Sequence, residues 1–581
     1  MNEIEINLSE PANKTQIAKV LEMLCGLGKT SEMLRALATL KAKGGDKTMT
    51  IIASPTIRLS EQSHSNYLDE LAKHKFGIYQ TIQARRIDTS SVISVRDSLH
   101  LLYEEFKLGM FNGVVFITHD SLFNEDNALL LRNGRVIVDE CPTSSVSLTS
   151  MKVSNHHIKQ VLKFCNCKEV IYHTTKRGEK EKCVKVTLKD DSVTLFKVDG
   201  ILKEHESGND NYVSEEYISL LKCLRNDYSV TYYSGGNSHL FQAINARGVR
   251  HVLHHSKELI ILGANIRDSL FGLLAEHKFN YSFQYIDEIN GIRADTKHEH
   301  PVKVVQYLGN GEGEIISREL KNMRVCDALA NCKSEKSVRD DLILSTLKLF
   351  GSDFILCLNN DDLKFLSDET RAIYENAKIE AIKSEKRIHE VSTQVHGINS
   401  MRHIRKVAVM AAANLSNDEI KLLRAASVDL GIPAERLIYC AFLERYLEPV
   451  YQAILRSHLR NKFDPSNIME CVVFVPDGRV TEYLRGKFSG EFEVLDMYQY
   501  NRNSAIKLST AKDARYSKVC AVLMDIQFNK SKPKGERLKL GEILAHHGIA
   551  KSTFERYKKE FAAQLTERGL WKPRNKPNLP S

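Results

Sequence analysis

The chain has 581 residues, of which 42% are hydrophobic and 27% are charged. A chain of this length is too long for a single hydrophobic core and predicts several domains. It contains no run of roughly 18 apolar residues that would span a membrane, and its acidic start lacks the pattern of a secretory signal. We therefore expect a multidomain globular protein of the cytoplasm, without a membrane partner.

The formal net charge of +9 is concentrated at the C-terminal end. Residues 501–581 contain 18 Lys and Arg against 7 Asp and Glu, a net +11, so residues 1–500 carry a net −2. A local positive field indicates a polyanionic partner. Because no lipid-anchor motif accompanies it, we expect that partner to be DNA or RNA. No feature indicates the oligomeric state.

The first motif in chain order is a glycine-rich loop, which joins the apolar run from residue 20 to a helical segment. The backbone N–H groups of Gly26 and Gly28 and the positive end of the helix suit phosphate groups. Lys29 suits the β and γ phosphates, and Thr30 suits magnesium. Met23 occupies the place of the first glycine in the pattern G-x-x-x-x-G-K-T, so the pattern is incomplete.

Short apolar runs separated by helical segments follow, a pattern that predicts parallel sheets covered by helices on both faces. The first set comprises residues 48–53, 113–117, 135–138 and 258–262, and the second comprises residues 353–358, 407–410 and 471–475. Residues of roughly 145–250 predict an insertion with its own elements. Residues 415–460 have apolar positions at helical spacing.

Asp139 and Glu140 directly follow the apolar run 135–138. Groups at the carboxyl end of such a strand face a ligand. Asp139 is therefore a candidate for holding magnesium through water, and Glu140 for orienting and deprotonating an attacking water. Two solvated carboxylates at a strand end are the alternative interpretation.

Taken in this order, the motifs resemble those of superfamily 2 helicases, the DEAD/DEAH-like group in which two RecA-like domains bind ATP between them. The segment Gly263-Ala264-Asn265 stands where that family has Ser-Ala-Thr. The segment 392–399 resembles motif V, which implies that Gly397 and Asn399 contact the nucleotide. The resemblance also implies nucleic-acid contacts for Ser54, Thr56, Thr118, Asn359, Ser392 and Thr393.

Gln452, Arg456 and Arg460 resemble motif VI of the same family, which implies that they act on the transferring phosphate together with Lys29 and Glu140. Arg460 follows Gln452 by eight residues instead of seven. On a continuous α-helix one additional residue turns a side chain by about 100°. Arg456 is therefore the better candidate, and a solvated basic helix face is the alternative.

Residues 537–561 contain two amphipathic helical stretches joined at Gly548, which resemble the helix-turn-helix of small site-specific regulators and recombinases. In that motif the second helix enters the major groove of DNA. The candidates for DNA contact are Lys551, Arg556, Lys558 and Ser552, which is also expected to cap the second helix. Two helices that pack on the rest of the chain or bind a protein are the alternative.

The predicted fold is α/β, with two RecA-like parallel-sheet domains, an insertion in the first and a small α-helical C-terminal domain. The domains are residues 1–325 with the insertion at about 145–250, residues 326–510 with a helical segment at 415–460, a helix-turn-helix at 530–565 and a basic disordered tail at 566–581. The predicted protein is an ATP-dependent helicase or translocase using ATP and Mg²⁺, with DNA (single-stranded and duplex) preferred and RNA possible. The alternative is a sequence-specific DNA-binding initiator or regulator with an ATP switch, for which DNA replication is a suitable process.

Overall fold

The computed structural model describes most of the chain and leaves gaps between its described segments. The described residues are 17–44, 46–74, 83–90, 93–124, 128–174, 180–207, 214–226, 228–235, 238–289, 292–309, 316–330, 332–359, 362–393, 400–499, 515–516, 519, 522–523, 526, 529, 537–547, 549–562 and 565.

The strands of the described segments are, in chain order, β1 (Ile17–Glu22), β2 (Thr50–Ser54), β3 (Ala84–Arg86), β4 (Val114–Thr118), β5 (Arg135–Asp139), β6 (Ser147–Val153), β7 (Cys165–Thr174), β8 (Lys180–Leu188), β9 (Ser229–Gly235), β10 (Ser238–Asn245), β11 (Glu258–Gly263), β12 (Ser282–Tyr285), β13 (Glu288–Ile289), β14 (Ile292–Arg293), β15 (Val302–Leu308), β16 (Phe354–Leu358), β17 (Ile388–Ser392), β18 (Lys406–Val409), β19 (Cys471–Val475) and β20 (Phe492–Tyr498).

The helices are α1 (Lys29–Ala42), α2 (Ile57–Ala72), α3 (Val95–Lys107), α4 (His119–Leu122), α5 (Ala128–Leu131), α6 (Asn155–Phe164), α7 (Ser192–Glu206), α8 (Glu215–Arg225), α9 (Arg247–His255), α10 (Leu270–Leu273), α11 (Arg318–Lys321), α12 (Val325–Ala328), α13 (Val338–Phe350), α14 (Asp368–Lys383), α15 (Asn417–Leu430), α16 (Ala434–Phe442), α17 (Glu448–Ile454), α18 (Gly478–Arg485), α19 (Leu540–His546) and α20 (Lys551–Glu560). Two π-helical turns, Leu274–Lys278 and Leu443–Leu447, extend α10 and α16. None of the described helices is long and apolar enough to cross a bilayer.

The first sheet has seven parallel strands in the order β12-β1-β11-β5-β2-β4-β3. Every residue of β2 and β5 is buried, as expected for central strands that helices cover on both faces. The α/β fold with parallel sheets predicted from the apolar runs is confirmed. The carboxyl ends of β1, β5 and β11 lie side by side and carry the glycine-rich loop, Glu140 and Asn265.

A five-stranded antiparallel sheet, in the order β6-β10-β9-β8-β7, lies between β5 and β11 along the chain. One of its faces packs on α6 and α8, where Val161, Leu221 and Phe241 share a buried core. The other face contacts α15, where Cys183 and Leu240 pack against Leu422. Helices therefore cover both faces of the sheet.

The second parallel sheet has six strands in the order β17-β16-β18-β19-β15-β20. It contains β15, which pairs in parallel with both β19 and β20. The predicted boundary of the first domain at residue 325 is therefore wrong, because the chain enters the second sheet at Val302. A short apolar run such as β15 does not specify its partner strand, which long-range pairing alone decides.

Residues 415–460 were predicted to form a helical segment of the second domain. This prediction is wrong in part, because the segment is divided between the two domains. Leu423 in α15 and Leu437 in α16 belong to the same buried core as Val136 of the first sheet. Asp429 pairs with Lys185 and accepts a hydrogen bond from Ser229 Oγ at 2.8 Å. The segment 417–441 thus packs on the first domain and its insertion, whereas α17 packs in the core of the second sheet.

The helices α19 and α20 share a small core that contains Leu544, Phe554 and Phe561. The structure places the start of α20 at Lys551 and its N-cap at Ala550, so Ser552 lies in the first turn and is not the cap. This corrects the predicted capping role of Ser552. Gly548 and the predicted tail 566–581 lie outside the described residues. The assignment of these helices as a helix-turn-helix stays a prediction.

Candidate active site between the two sheets

The glycine-rich loop follows β1 and leads into the 14-residue helix α1. Gly26 and Gly28 have φ angles of 83° and 90°, a left-handed conformation that favours glycine. Gly28 is the N-cap of α1, and its carbonyl accepts the N–H of Glu32 at 3.0 Å. Met23, in place of the first glycine, is 1% exposed and packs in the core. The loop therefore retains a helix N-terminus suited to phosphate although its first glycine is absent.

Lys29 and Thr30 lie near the carboxylates of Asp139, the last residue of β5, and Glu140, which follows it. Thr30 Oγ1 donates a hydrogen bond to Asp139 Oδ1 at 2.7 Å. Burial lowers the pKa of Lys29, which is 5% exposed, but the neighbouring Cys25, Glu140 and Asp139 outweigh burial, so the pKa is raised. Lys29 is therefore a protonated, buried cation at neutral pH.

Asp139 and Glu140 differ in their surroundings. Burial, together with the charge of Glu140, raises the pKa of Asp139 to about 6, although Lys29 and Thr30 act in the opposite direction. Glu140 has a φ of 68°, a strained conformation for a residue other than glycine. It lines the same cavity as Lys29. Strained backbone at the edge of a cavity is typical of functional sites.

The second part of the chain supplies the opposite wall. Gln452, on α17, lines the same cavity as Lys29 and Glu140. Arg456 is 5% exposed, and burial lowers its pKa to about 10, with Arg460 acting in the same direction and Glu140 in the opposite one. An arginine from one half is thus in the field of a carboxylate from the other half.

Arg456 and Arg460 do not lie on one continuous helix. The expectation that one additional residue turns Arg460 by about 100° is therefore wrong. The helix α17 ends at Ile454, and Arg460 lies in a 3-10 turn, His458–Arg460, that Ser457 caps. Arg460 packs beside the glycine-rich loop, because a Cβ placed on Gly26 would lie 3.5 Å from Arg460 Cγ. The additional residue between Gln452 and Arg460 therefore does not turn Arg460 away from the loop.

Several residues of the site were missed by the sequence analysis. The exposed Arg402 lowers the pKa of both Arg456 and Arg460, in each case after the larger effect of burial, and so adds a third cation to the group. His119 is buried, its Nε2 lies 2.9 Å from the carbonyl oxygen of Asp139, and burial lowers its pKa to about 4. The neutral His119 ring therefore supports the backbone at Asp139.

A second group that was missed joins the two halves beside the cavity. Asn265 Nδ2 donates to Glu448 Oε2 at 2.5 Å, and Tyr483 OH donates to the same oxygen at 2.6 Å. Lys487 Nζ donates to Asn265 Oδ1 at 2.8 Å. The sequence did contain one signal for Glu448. It precedes Gln452 by four residues, so the two side chains lie on the same face of a helix.

The residues predicted to contact nucleic acid lie mainly at the carboxyl ends of the two sheets. Thr56 and Thr118 accept N–H groups of α2 and α4 as N-caps and are half-buried. Asn359 follows β16, Ser392 ends the neighbouring strand β17, and Thr393 comes directly after it. The positions predicted for nucleotide contact in motif V, Gly397 and Asn399, lie outside the described residues.

The predicted nucleic-acid contact of Ser54 is wrong in this arrangement, because the Ser54 side chain is fully buried. Ser54 is the last residue of the central strand β2. Lys551, Ser552 and Arg556 are exposed on α20, whereas Lys558 is half-buried and pairs with Glu555 at 2.7 Å.

The donor set at Thr30 and Asp139 fits a magnesium ion. Within the described segments, no group of three or more His, Cys, Asp or Glu side chains could hold a metal by itself. Magnesium does not need such a group, because it commonly keeps several waters and binds one or two protein oxygens together with phosphate oxygens. A hydroxyl and a carboxylate 2.7 Å apart beside a glycine-rich loop meet that need.

Residues 2–175, less than a third of the chain, match the family described as type III restriction enzyme, res subunit. No protein with a curated description matches the chain. Among solved structures, a protein described as XPD helicase is 13% identical, with 83% of this chain and 96% of the other covered and a TM-score of 0.43. S. cerevisiae Dbp5 bound to RNA and ADP BeF3 is 9% identical, with 84% and 86% covered and a TM-score of 0.33. Mss116p bound to ssRNA and AMP-PNP is 12% identical, with 97% and 88% covered and a TM-score of 0.33.

These structural similarities are too distant to carry an argument about activity. The family match lies on the segment that holds the glycine-rich loop and Asp139 and Glu140. The sequence similarity to that family therefore covers most of the residues that form the first-domain wall of the cavity.

Proposed function

We propose that this enzyme is an ATP-driven helicase or translocase, with DNA as its preferred substrate. The observation that carries the proposal is one cavity lined by Lys29 and Glu140 from the first domain and by Gln452 from the second. A nucleotide bound there would contact both domains, so its hydrolysis would change their contact. Such a change is what a motor needs to move along a strand.

Each side chain then has a defined role in phosphate chemistry. The loop of Gly26 and Gly28 would bind the phosphates through backbone N–H groups, and Lys29 would neutralise their charge. Thr30 and Asp139 would hold Mg²⁺, which would supply positive charge beside the phosphates. The paired hydroxyl and carboxylate support this assignment.

The remaining groups act on water and on the leaving charge. Glu140 would orient the attacking water and take its proton, since it lines the cavity and is half-exposed. Arg456 and Arg460 would stabilise negative charge on the transferring phosphate from the side of the second domain, and Gln452 would position it. Arg460 and Arg402 lower the pKa of Arg456 after the larger effect of burial, and positive charges that disfavour one another support an anionic ligand beside them.

The nucleic acid would run across the carboxyl ends of both sheets, past Thr56, Thr118, Asn359 and Thr393. In this arrangement one nucleic-acid strand would contact both domains. Closure and opening of the cavity would therefore change the contacts of each domain with that strand. The preference for DNA rests on the basic C-terminal helices, where Lys551 and Arg556 are exposed. Gly397 and Asn399 keep their proposed contact with the nucleotide by resemblance alone.

The test is ATP turnover measured without polymer and with single-stranded DNA, duplex DNA and RNA in parallel. We expect stimulation by nucleic acid, strongest with DNA, and its loss in Glu140→Gln. The matched control is Glu61→Gln, an exposed carboxylate on α2, which is expected to hydrolyse ATP as the native protein does.

The alternative function, a DNA-binding initiator or regulator with an ATP switch, is supported by the same basic helices. A switch would bind ATP, hydrolyse little of it and show no repeated turnover on a polymer. Absence of nucleic-acid-stimulated turnover in the native protein would therefore contradict the motor and favour the switch.

A further inference from the structure

Glu448 is a buried carboxylate at the edge of the nucleotide cavity, to which the phosphate chemistry above assigns no role. It is the first residue of α17, is 9% exposed and lines the cavity with Lys29 and Gln452. Among the described residues, no lysine or arginine nitrogen lies within ion-pair distance of its side chain. A buried carboxylate without a close ion pair is costly unless hydrogen bonds satisfy it.

Hydrogen bonds from both domains satisfy Glu448. Asn265 Nδ2 of the first domain and Tyr483 OH of the second donate to its Oε2 at 2.5 and 2.6 Å. Gln452 Nε2 donates to its Oε1 at 3.3 Å, and Cys25 Sγ of the glycine-rich loop lies 3.6 Å from the same oxygen. One carboxylate therefore joins the loop, the end of β11 and two helices of the second domain.

The contact extends to Lys487, just after the end of α18. Lys487 Nζ donates to Asn265 Oδ1 at 2.8 Å and lies 4.6 Å from the centre of the Tyr483 ring. Asn265 has a φ of 56°, a conformation that asparagine adopts more readily than most residues. Its amide thus presents a donor to Glu448 and an acceptor to Lys487, and both of these belong to the second domain.

The negative charge of Glu448 would disfavour the binding of a nucleotide in the cavity. Glu448 and Lys29 line the same cavity, and the charge of Glu448 adds to the larger effects of Cys25, Glu140 and Asp139, which raise the pKa of Lys29 against the effect of burial. The phosphates of ATP would bring further negative charge to the same lysine. Because like charges in a water-poor cavity repel, bound phosphate and the Glu448 carboxylate cannot both be at their most stable there.

We propose that Glu448 is a positioning residue that couples nucleotide binding to the contact between the two domains. Without nucleotide it holds Asn265 and Tyr483 together, and the arrival of phosphate destabilises it and releases that contact. A ligand can shift a conformational equilibrium only by interacting differently with the two states, and repulsion of Glu448 supplies such a difference. This inference rests on the proposed function.

The test uses the full chain and separates the charge of Glu448 from its hydrogen bonds. Glu448→Gln keeps the size of the side chain and removes the charge, so we expect a non-hydrolysable ATP analogue to bind about tenfold more tightly. The stimulation of ATP turnover by nucleic acid should fall towards the unstimulated rate. Tyr483→Phe removes one hydrogen bond of the contact and keeps the charge, so stimulation should fall, and the analogue should bind less tightly than it binds Glu448→Gln.

The control for the substitution itself is Glu444→Gln, a half-buried side chain one turn earlier whose Oε1 accepts the N–H of Leu270. It should bind the analogue as the native protein does. Native affinity and native stimulation in Glu448→Gln, or weaker binding, would overturn the inference. If Glu448→Gln does not fold, unchanged stimulation in Tyr483→Phe overturns it. A native protein without nucleic-acid-stimulated turnover contradicts the proposed function instead, so the two failures are distinguishable.

Discussion

Lys29→Ala is the substitution that most directly tests the nucleotide site. Lys29 begins α1 and is 5% exposed, so its ammonium group has little contact with water. Its charge faces Asp139, Glu140 and Glu448, all of which contribute to its raised pKa after the opposing effect of burial. Replacing it with alanine removes the cation that a triphosphate would need and leaves those carboxylates without it.

The magnitude follows from the loss of a desolvated charge contact. Removing one partner of a buried, hydrogen-bonded charge pair typically costs about 3–5 kcal/mol. For binding, this corresponds to a loss of affinity of roughly 100-fold to 5,000-fold. The remaining carboxylates would repel the phosphates, which favours the upper part of this range.

The assay is an equilibrium titration with a non-hydrolysable ATP analogue, with thermal unfolding to verify that the variant is folded. Lys43→Ala is the matched control, because Lys43 caps the other end of α1 and is exposed. It should bind the analogue as the native protein does. A folded Lys29→Ala variant with an affinity within about threefold of the native value would refute the electrostatic reasoning.

Three further predictions follow from other parts of the chain. Burial raises the pKa of Glu444 from an ordinary value of 4.5 to about 8, so its folded state holds a proton that the unfolded chain releases. The stability it contributes is present below the unfolded pKa and is lost as pH rises through the folded one. Between about pH 5 and about pH 9 the unfolding temperature should fall less steeply in Glu444→Gln than in the native protein. Parallel curves of unfolding temperature against pH would contradict the burial argument. Deleting residues 530–581 should weaken binding to duplex DNA more than to duplex RNA, and equal affinities before deletion would remove the basis for preferring DNA. Leu423→Ala, in the fully buried contact between α15 and the first domain, should cost about 2–5 kcal/mol and lower the unfolding temperature, whereas native stability would show that α15 does not depend on this contact.

The local sequence determined the elements whose signals lie within a few residues. Apolar runs predicted the central strands, and the alternation of those runs with helices predicted the α/β class, because strands covered on both faces need apolar residues at every position. The glycine-rich loop was also predictable, since Gly26 and Gly28 precede a helix. Its departure at Met23 proved compatible with the loop, because Met23 packs in the core below it.

Only the tertiary structure decided which distant segments meet. It assigned β15 to the second sheet, placed α15 on the first domain and its insertion, and ended α17 early enough for Arg460 to pack beside Gly26. It also joined Glu448 to Asn265. These contacts join residues far apart in the chain, and their free energy depends on burial and geometry that no local pattern of residues contains.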